Sequence, residues 1–404
     1  MAAVGELAQS TLTIEEGHRT PPARERSASQ KGFYRPELDS LRFFAFLGVF
    51  VFHVVPREPS AYLSVHFVPA FLVPWICGIA GAGAFGVDLF FALSAYLITG
   101  LLLREKSVRG HIDIKAFYIR RILRIWPLYF LFILVAVTLP LWQPVSRLSW
   151  PYVAGYLLLA GNWVYAFKGV PIGSVAIPLW SISVEEQFYL FWPPILRHVT
   201  RRRLVYGILL LLLAANLVRV GLIVAHVNGA AAEYNTFVRI DALAFGILVA
   251  CWLGERSPKL SAGSRAGLLF SGLLTWVLVA TYGHMNAPQS PAPVVGTLIG
   301  RPLVALSAAA MLVAFIGAAG PMNILRFPLL TYLGKISYGL YVYHMLGVFL
   351  AERLVRAGAS SAHGAAAFVG FLLTVALSVI SYHCFEAPFL RLKNRFAVIR
   401  SRPV

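Results

Sequence analysis

Residues 41–55 read Leu41-Arg42-Phe43-Phe44-Ala45-Phe46-Leu47-Gly48-Val49-Phe50-Val51-Phe52-His53-Val54-Val55, an apolar run broken by one arginine and one histidine. The run is apolar enough to enter a bilayer as a helix, which satisfies its own backbone hydrogen bonds there. Arg42 and His53 stand eleven residues apart. That is about three helical turns, so both side chains return to nearly one face, roughly 16 Å apart along the axis. Asp39, fourteen residues before His53, shares this face. An imidazole inside a membrane is unfavourable unless partnered, so its position alone makes His53 a candidate functional residue.

The same character extends along the chain. Its 404 residues are 58% hydrophobic and 13% charged, and mean hydropathy is +0.72, which excludes an ordinary soluble domain of this size. Apolar stretches lie near 41–56, 84–103, 125–142, 152–165, 179–196, 204–226, 237–253, 266–282, 302–319, 329–350 and 365–386. Their lengths are those of membrane helices, not of alternating barrel strands. Basic residues cluster between them, from Arg19 to Arg42, Arg104 to Arg124, Arg197 to Arg203, Arg256 to Arg265 and Arg391 to Arg402. The formal charge of +18 therefore reports membrane topology and not nucleic-acid binding.

Placing every basic cluster on the cytoplasmic side leaves 152–165 without a crossing of its own. It is short and is followed by Lys168, Gly169, Pro171, Gly173 and Pro178, so it reads as re-entrant or as lying at the outer surface. The segment 57–83, rich in Pro and Gly, reads as an outer loop. The predicted fold is all-α: a polytopic membrane helical bundle of about ten transmembrane helices, with both termini cytoplasmic. Residues 1–34 read as a disordered cytoplasmic tail, 35–390 as the transmembrane domain, and 391–404 as a basic cytoplasmic tail with no soluble domain after it. Cys77, Cys251 and Cys384 show no metal spacing and read as core thiols.

Several polar residues sit where apolar ones would be expected. His53 can act as a general base or a nucleophile, and reads equally as a histidine packed between helices. Arg42 reads as a snorkelling anchor, and Asp39 as a charge favoured at a helix start. Arg120, Arg121 and Arg124 form a cationic patch that suits phosphates, or serves only to hold topology and contact anionic lipid. The segment Trp180-Ser181-Ile182-Ser183-Val184-Glu185-Glu186-Gln187-Phe188-Tyr189 is the densest polar cluster in an apolar setting. Its adjacent carboxylates cannot both face one way, so one points inward. Arg239 and Asp241, two apart, do not face each other on a helix, and each is expected to pair with another helix. Asp88, His344 and Glu386 complete the set, the last two read as structural.

In order along the chain, these segments resemble the acyltransferase-3 family of integral membrane O-acyltransferases. The resemblance rests on Arg42 and His53 within Leu38-Asp39-Ser40-Leu41-Arg42, on Gly86-Val87-Asp88 through Ser94, and on Arg120-Arg121 through Arg124 and Trp126-Pro127-Leu128-Tyr129. It continues with Trp180 through Tyr189, Arg239-Ile240-Asp241 through Gly246, Ser337 through His344, and Glu386-Ala387-Pro388. Ala95 stands where the family usually has Gly, and no SGNH domain is attached, as in its stand-alone members. The resemblance implies a multi-pass enzyme of the cell (cytoplasmic) membrane. It would move an acyl group, commonly acetyl, from cytoplasmic acyl-CoA to a hydroxyl of a carbohydrate or glycolipid, without a metal.

His53, set about halfway through the bilayer, would then be general base or transient acyl carrier, with Glu185 orienting its imidazole and Arg42 an anchor or a helper. Arg120, Arg121 and Arg124, with Tyr129 in the same motif, would hold the CoA. Asp39, Asp88, Trp180, Ser183, Glu186, Arg239, Asp241 and His344 would be substrate-contacting or structural. The competing class is a secondary transporter or exporter with a proton-relay histidine. It explains the buried ionisable groups but not three arginines at one mouth.

Overall fold

The apolar runs form helices, and a computed structural model of the chain describes residues 34–63, 68–143, 147–283, 293–318, 320–356 and 363–396. Most of the two expected tails, 1–33 and 397–404, lies outside the described residues. Among the described residues all regular structure is helical. In chain order the helices are α1 (Pro36–Val54), α2 (Val73–Ala82), α3 (Gly86–Arg109), α4 (Ile114–Thr138), α5 (Trp150–Leu157), α6 (Gly161–Lys168), α7 (Leu179–His198) and α8 (Arg201–Val224). There follow α9 (Gly229–Tyr234), α10 (Ile240–Leu253), α11 (Ala262–Tyr282), α12 (Arg301–Phe315), α13 (Pro328–Lys335), α14 (Ser337–Arg356), α15 (His363–Ser381) and α16 (Ala387–Asn394).

Local chemistry sets the boundaries. Gly110, at φ 76°, ends α3 in the left-handed region that favours glycine. The Asp113 carboxylate then caps α4 by accepting from the Ala116 N–H at 2.9 Å. Thr200 and Ser261 cap α8 and α11 in the same way.

Among the described residues, six helical stretches are long and apolar enough to cross a membrane: Ala70–Arg109, Ile114–Leu141, Arg201–Val224, Ala262–Tyr282, Gly296–Phe315 and Gly364–Asn394. Their surroundings differ. The apolar window of the α3 stretch is 72% buried in protein, whereas those of α8 and α11 are only 17% buried. Leu210, Leu213, Leu217, Phe270 and Leu273 accordingly point outward. Such apolar helices with little protein cover fit contact with lipid. Helices α1, α7 and α14, of 19, 20 and 20 residues, have similar lengths but carry charged and polar groups.

Two expectations change, and the short stretch 152–165 takes a definite form. The segment expected as a loop to residue 83 is helical from Ala70 and runs into α3 as one 40-residue stretch. Pro74 falls in its first turn, where a missing N–H is harmless. The stretch 329–350 is broken at Ile336 into α13 and α14. The stretch 152–165 forms two eight-residue helices, α5 and α6, separated at Leu159, whose φ is 55°. Neither is long enough to cross a bilayer.

Several basic segments meet at one end of the bundle. Arg35 donates to Ser257 at 2.8 Å, and Lys106 donates to the carbonyls of Leu196 and Arg197 at 3.1 and 3.0 Å. Arg201 donates to the Cys251 carbonyl, and Arg120 to that of Phe396 at 2.7 Å. The buried Glu37 carboxylate accepts from the Gly317 N–H at 2.9 Å and lies 3.4 Å from Arg326. The starts of α1, α4, α8 and α11 therefore share an end with the far termini of α3, α7, α10, α12 and α16.

Candidate active site

His53 lies in the last turn of α1, seventeen residues above Pro36, or about 26 Å along the helix. The helix begins at Pro36, before the apolar run, so along α1 His53 lies towards the end away from the basic segments. Its Nδ1 lies 2.8 Å from the Val49 carbonyl oxygen and 3.3 Å from Nε2 of His344 on α14. The two imidazole centroids are 4.9 Å apart. His344 is fully buried, and its own Nδ1 lies 2.6 Å from the Tyr341 carbonyl oxygen.

His53 lines a cavity of about 130 Å³ together with Trp180, Glu233, Tyr234, Arg239, Arg301 and Tyr341. The wall is aromatic and charged. Trp180 and Tyr234 meet edge to face at 4.9 Å, and the Arg239 guanidinium sits 5.0 Å over the Trp180 ring. Arg239 pairs with Asp88 on α3 at 3.4 Å, and with Glu233 on α9 at 3.6 Å. Glu233 is also paired with Arg301. Burial pushes the Tyr234 phenol up to about 12, so it stays a neutral donor. Arg57, just beyond α1, lies 3.8 Å over the Phe52 ring. Burial lowers its pKa, against the raising effect of Glu58 and Tyr234.

A second polar cluster lies nearer the basic end. Arg42 donates to Asp39 at 2.5 Å, and Asp39 also accepts from Tyr34 at 3.0 Å. Arg124 lies within electrostatic reach of Arg42, Glu386, Asp39 and Tyr382. Arg121 lies 5.5 and 5.3 Å over the Phe117 and Tyr189 rings. Arg120 is held by Glu105 at 3.4 Å and by the Phe396 carbonyl. The three arginines pack on different neighbours, with Arg121 within electrostatic reach of both Arg120 and Arg124. Arg124 is one turn deeper than Arg120, and Arg121 is rotated by one residue. Glu185 accepts from Tyr189 at 3.2 Å and feels Arg121 and Arg42. Glu186 accepts from the Trp126 indole at 2.8 Å.

Glu185 therefore belongs with the arginines. Among the described residues, the side chain hydrogen-bonded to the His53 ring is that of His344. Tyr129, expected beside the arginines, turns away and donates to the Tyr156 carbonyl at 2.9 Å. Ser183 accepts from the Gly161 N–H at 3.2 Å and anchors α6. Arg239 and Asp241 do pair with other helices, Arg239 with Asp88 on α3 and Asp241 with the buried Arg219 on α8. Sequence reasoning missed Arg301, Glu233, Tyr234 and Tyr341 at the cavity. Arg301 was legible in principle: it directly follows an apolar turn, Gly296–Gly300, that belongs to the same span.

A family model described as an acyltransferase domain, acyltransferase-3, matches residues 35–383. A Staphylococcus aureus (strain MSSA476) relative with O-acetyltransferase in its name is 28% identical over 382 residues, 88% of this chain and 57% of its own length. The peptidoglycan O-acetyltransferase OatA of Listeria monocytogenes is 28% identical over 331 residues, covering 77% of this chain and 49% of the relative. The O-acetyltransferase OatA of Staphylococcus aureus (strain NCTC 8325) is 26% identical over 373 residues, 88% of this chain and 57% of the relative. The chain thus spans about half the length of these curated relatives. No solved structure gives a significant match.

Proposed function

The chain belongs to the acyltransferase-3 family, and from that premise we propose that it transfers an acyl group, acetyl in the first instance, from acyl-CoA to a hydroxyl of a carbohydrate or glycolipid. The bundle has ten spanning helices in the cell membrane, with both termini and the basic end cytoplasmic, following the positive-inside rule. The donor enters from that end. Arg120, Arg121 and Arg124 hold its phosphates, and Arg42 and Glu185 flank its path. The acceptor enters the cavity at the far end. There Trp180, Tyr234 and Tyr341 offer aromatic faces, and the ion-paired Arg239, Asp88, Glu233 and Arg301 offer hydrogen bonds to sugar hydroxyls.

His53 is the general base. Its ring nitrogen takes the proton from the acceptor hydroxyl as the oxygen attacks the thioester carbonyl. The carbon–sulfur bond then breaks, the ester remains on the acceptor, and the proton passes to the departing CoA thiolate. The observation that carries this reading is the place of His53: at the wall of a polar, aromatic cavity, on the helix that also bears Arg42 in the arginine cluster.

The test uses purified protein, acetyl-CoA and a glycan acceptor, with the free CoA thiol as readout. His53→Ala should lower turnover by about 10²–10⁴-fold, the usual contribution of a general base, while acetyl-CoA binding is retained. Wild-type turnover in that variant would rule out His53 as the base. No thioester cleavage by the wild-type protein, with any acceptor, would favour a transport role instead.

A further inference from the structure

A carbonyl oxygen can only accept a hydrogen bond, so an imidazole nitrogen held against one carries the proton. Two such contacts occur in series beside the cavity. Nδ1 of His344 lies 2.6 Å from the Tyr341 carbonyl oxygen, so Nδ1 carries the proton of the neutral ring and Nε2 carries the lone pair. Nδ1 of His53 lies 2.8 Å from the Val49 carbonyl oxygen, so it too carries the proton. The 3.3 Å contact between them then has one consistent form. The His53 Nδ1–H is shared between the Val49 oxygen and the lone pair on His344 Nε2. A proton on His344 Nε2 would set N–H against N–H, so the arrangement selects a neutral His344.

From this we infer that His344 is a positioning residue: with Val49 it locks His53 in the tautomer whose Nε2 is unprotonated and free to act as the base. The inference rests on the reading of His53 as the group that takes the acceptor's proton. His53 lines the cavity, and Nε2 is the ring nitrogen left over from both contacts. When Nε2 takes a proton, the new charge spreads to Nδ1–H, which already points at two acceptors. His344 thereby fills the role that a carboxylate fills behind the histidine of a hydrolase triad. It does so without placing a negative charge in the membrane interior. Its own orientation is secured by the Tyr341 carbonyl and by the Phe46 ring, edge-on at 6.2 Å. Tyr341 in turn is anchored by Ser181 at 2.7 Å.

The experiment needs the full chain in detergent or nanodiscs, labelled with 15N-histidine, with His53→Gln used to assign the His53 signals. The expected wild-type spectrum shows His53 protonated at Nδ1 and pyridine-like at Nε2. In His344→Leu the two tautomers of His53 should mix. Its kcat for acetyl transfer from acetyl-CoA to a glycan acceptor should fall about 10–100-fold, as when an outer-shell partner is lost, with the KM for acetyl-CoA unchanged. His344→Gln, whose amide oxygen can accept from Nδ1–H, should restore both the tautomer and most of kcat. A wild-type His53 protonated at Nε2, or full kcat in His344→Leu, overturns the inference. The spectrum decides the tautomer without substrate and without any variant at position 344. Activity surviving in His53→Ala would instead overturn the underlying reading of the base, so the two failures are distinguishable.

Discussion

Arg219 is fully buried on a helix whose apolar window otherwise has little protein around it. Its partner Asp241 is equally hidden, and one oxygen of that carboxylate and the Arg219 Nε have no hydrogen-bond partner among the described residues. Breaking such a pair strands a charge away from water. Asp241→Ala should therefore destabilise the protein by about 3–5 kcal/mol, read as a lowered thermal transition in detergent. The double change of Asp241 and Arg219 to Leu should recover most of that loss. Since neither residue lines the cavity, the surviving folded enzyme should keep its kcat, and a selective loss of kcat would assign Asp241 to the site. The sequence made the need for partners plain, because Arg239 and Asp241 cannot meet on one helix. It left the identity of each partner open, since Asp88 and Arg219 lie on helices that no local spacing brings close. His53 was legible as a polar group in an apolar run for the same reason, and its contact with His344, 291 residues away, was not.

Helices α13 and α1 cross with almost no space between their backbones. A Cβ on Gly334 would meet the backbone carbonyl of Asp39, the residue that holds Arg42. Neither partner is a flexible side chain, so Gly334→Ala forces the helices apart. The expected loss is about 1–3 kcal/mol or more, with a rise in the KM for acyl-CoA as the Asp39–Arg42 pair shifts. Gly207→Ala, where nothing lies within 4 Å inside α8, is the control and should leave the KM unchanged and not lower stability, since alanine is the better helix former there. Equal melting temperatures in the two variants would mean that the crossing is looser than it looks. Element boundaries were the least legible feature. Proline and glycine between 69 and 83 argued for a loop, but Pro74 sits harmlessly in a first turn. Gly83 lets the chain pass close to Gly48. The break at Ile336 is marked only by the short polar interruption Gly334-Lys335 and Ser337, which does not divide the longer apolar stretch around it.

Across the whole molecule, charge separates by end. The arginines that follow α3 and open α4 lie with the other basic segments, and the His53 cavity lies towards the opposite end. The proposed acyl-CoA donor, being anionic, would be drawn to the first end over distances set by the ionic strength. Arg120→Ala combined with Arg124→Ala should raise the KM for acyl-CoA several-fold, and added salt should raise the wild-type KM in the same direction. Membrane insertion should be unchanged, as judged by fractionation. A donor KM that ignores both salt and the substitutions would leave these arginines as topology signals alone. The sequence by itself determined the solvent, the helical class and the family. Apolar run length, basic clusters and motif order are local properties that survive being written on a line. Only the tertiary structure decided that His53 meets His344, that the three arginines each pack on different neighbours, and that Arg301 and Glu233 join the cavity wall. Helical spacing fixes which side chains share a face of one helix, whereas the partner of that face is set by packing among helices hundreds of residues apart.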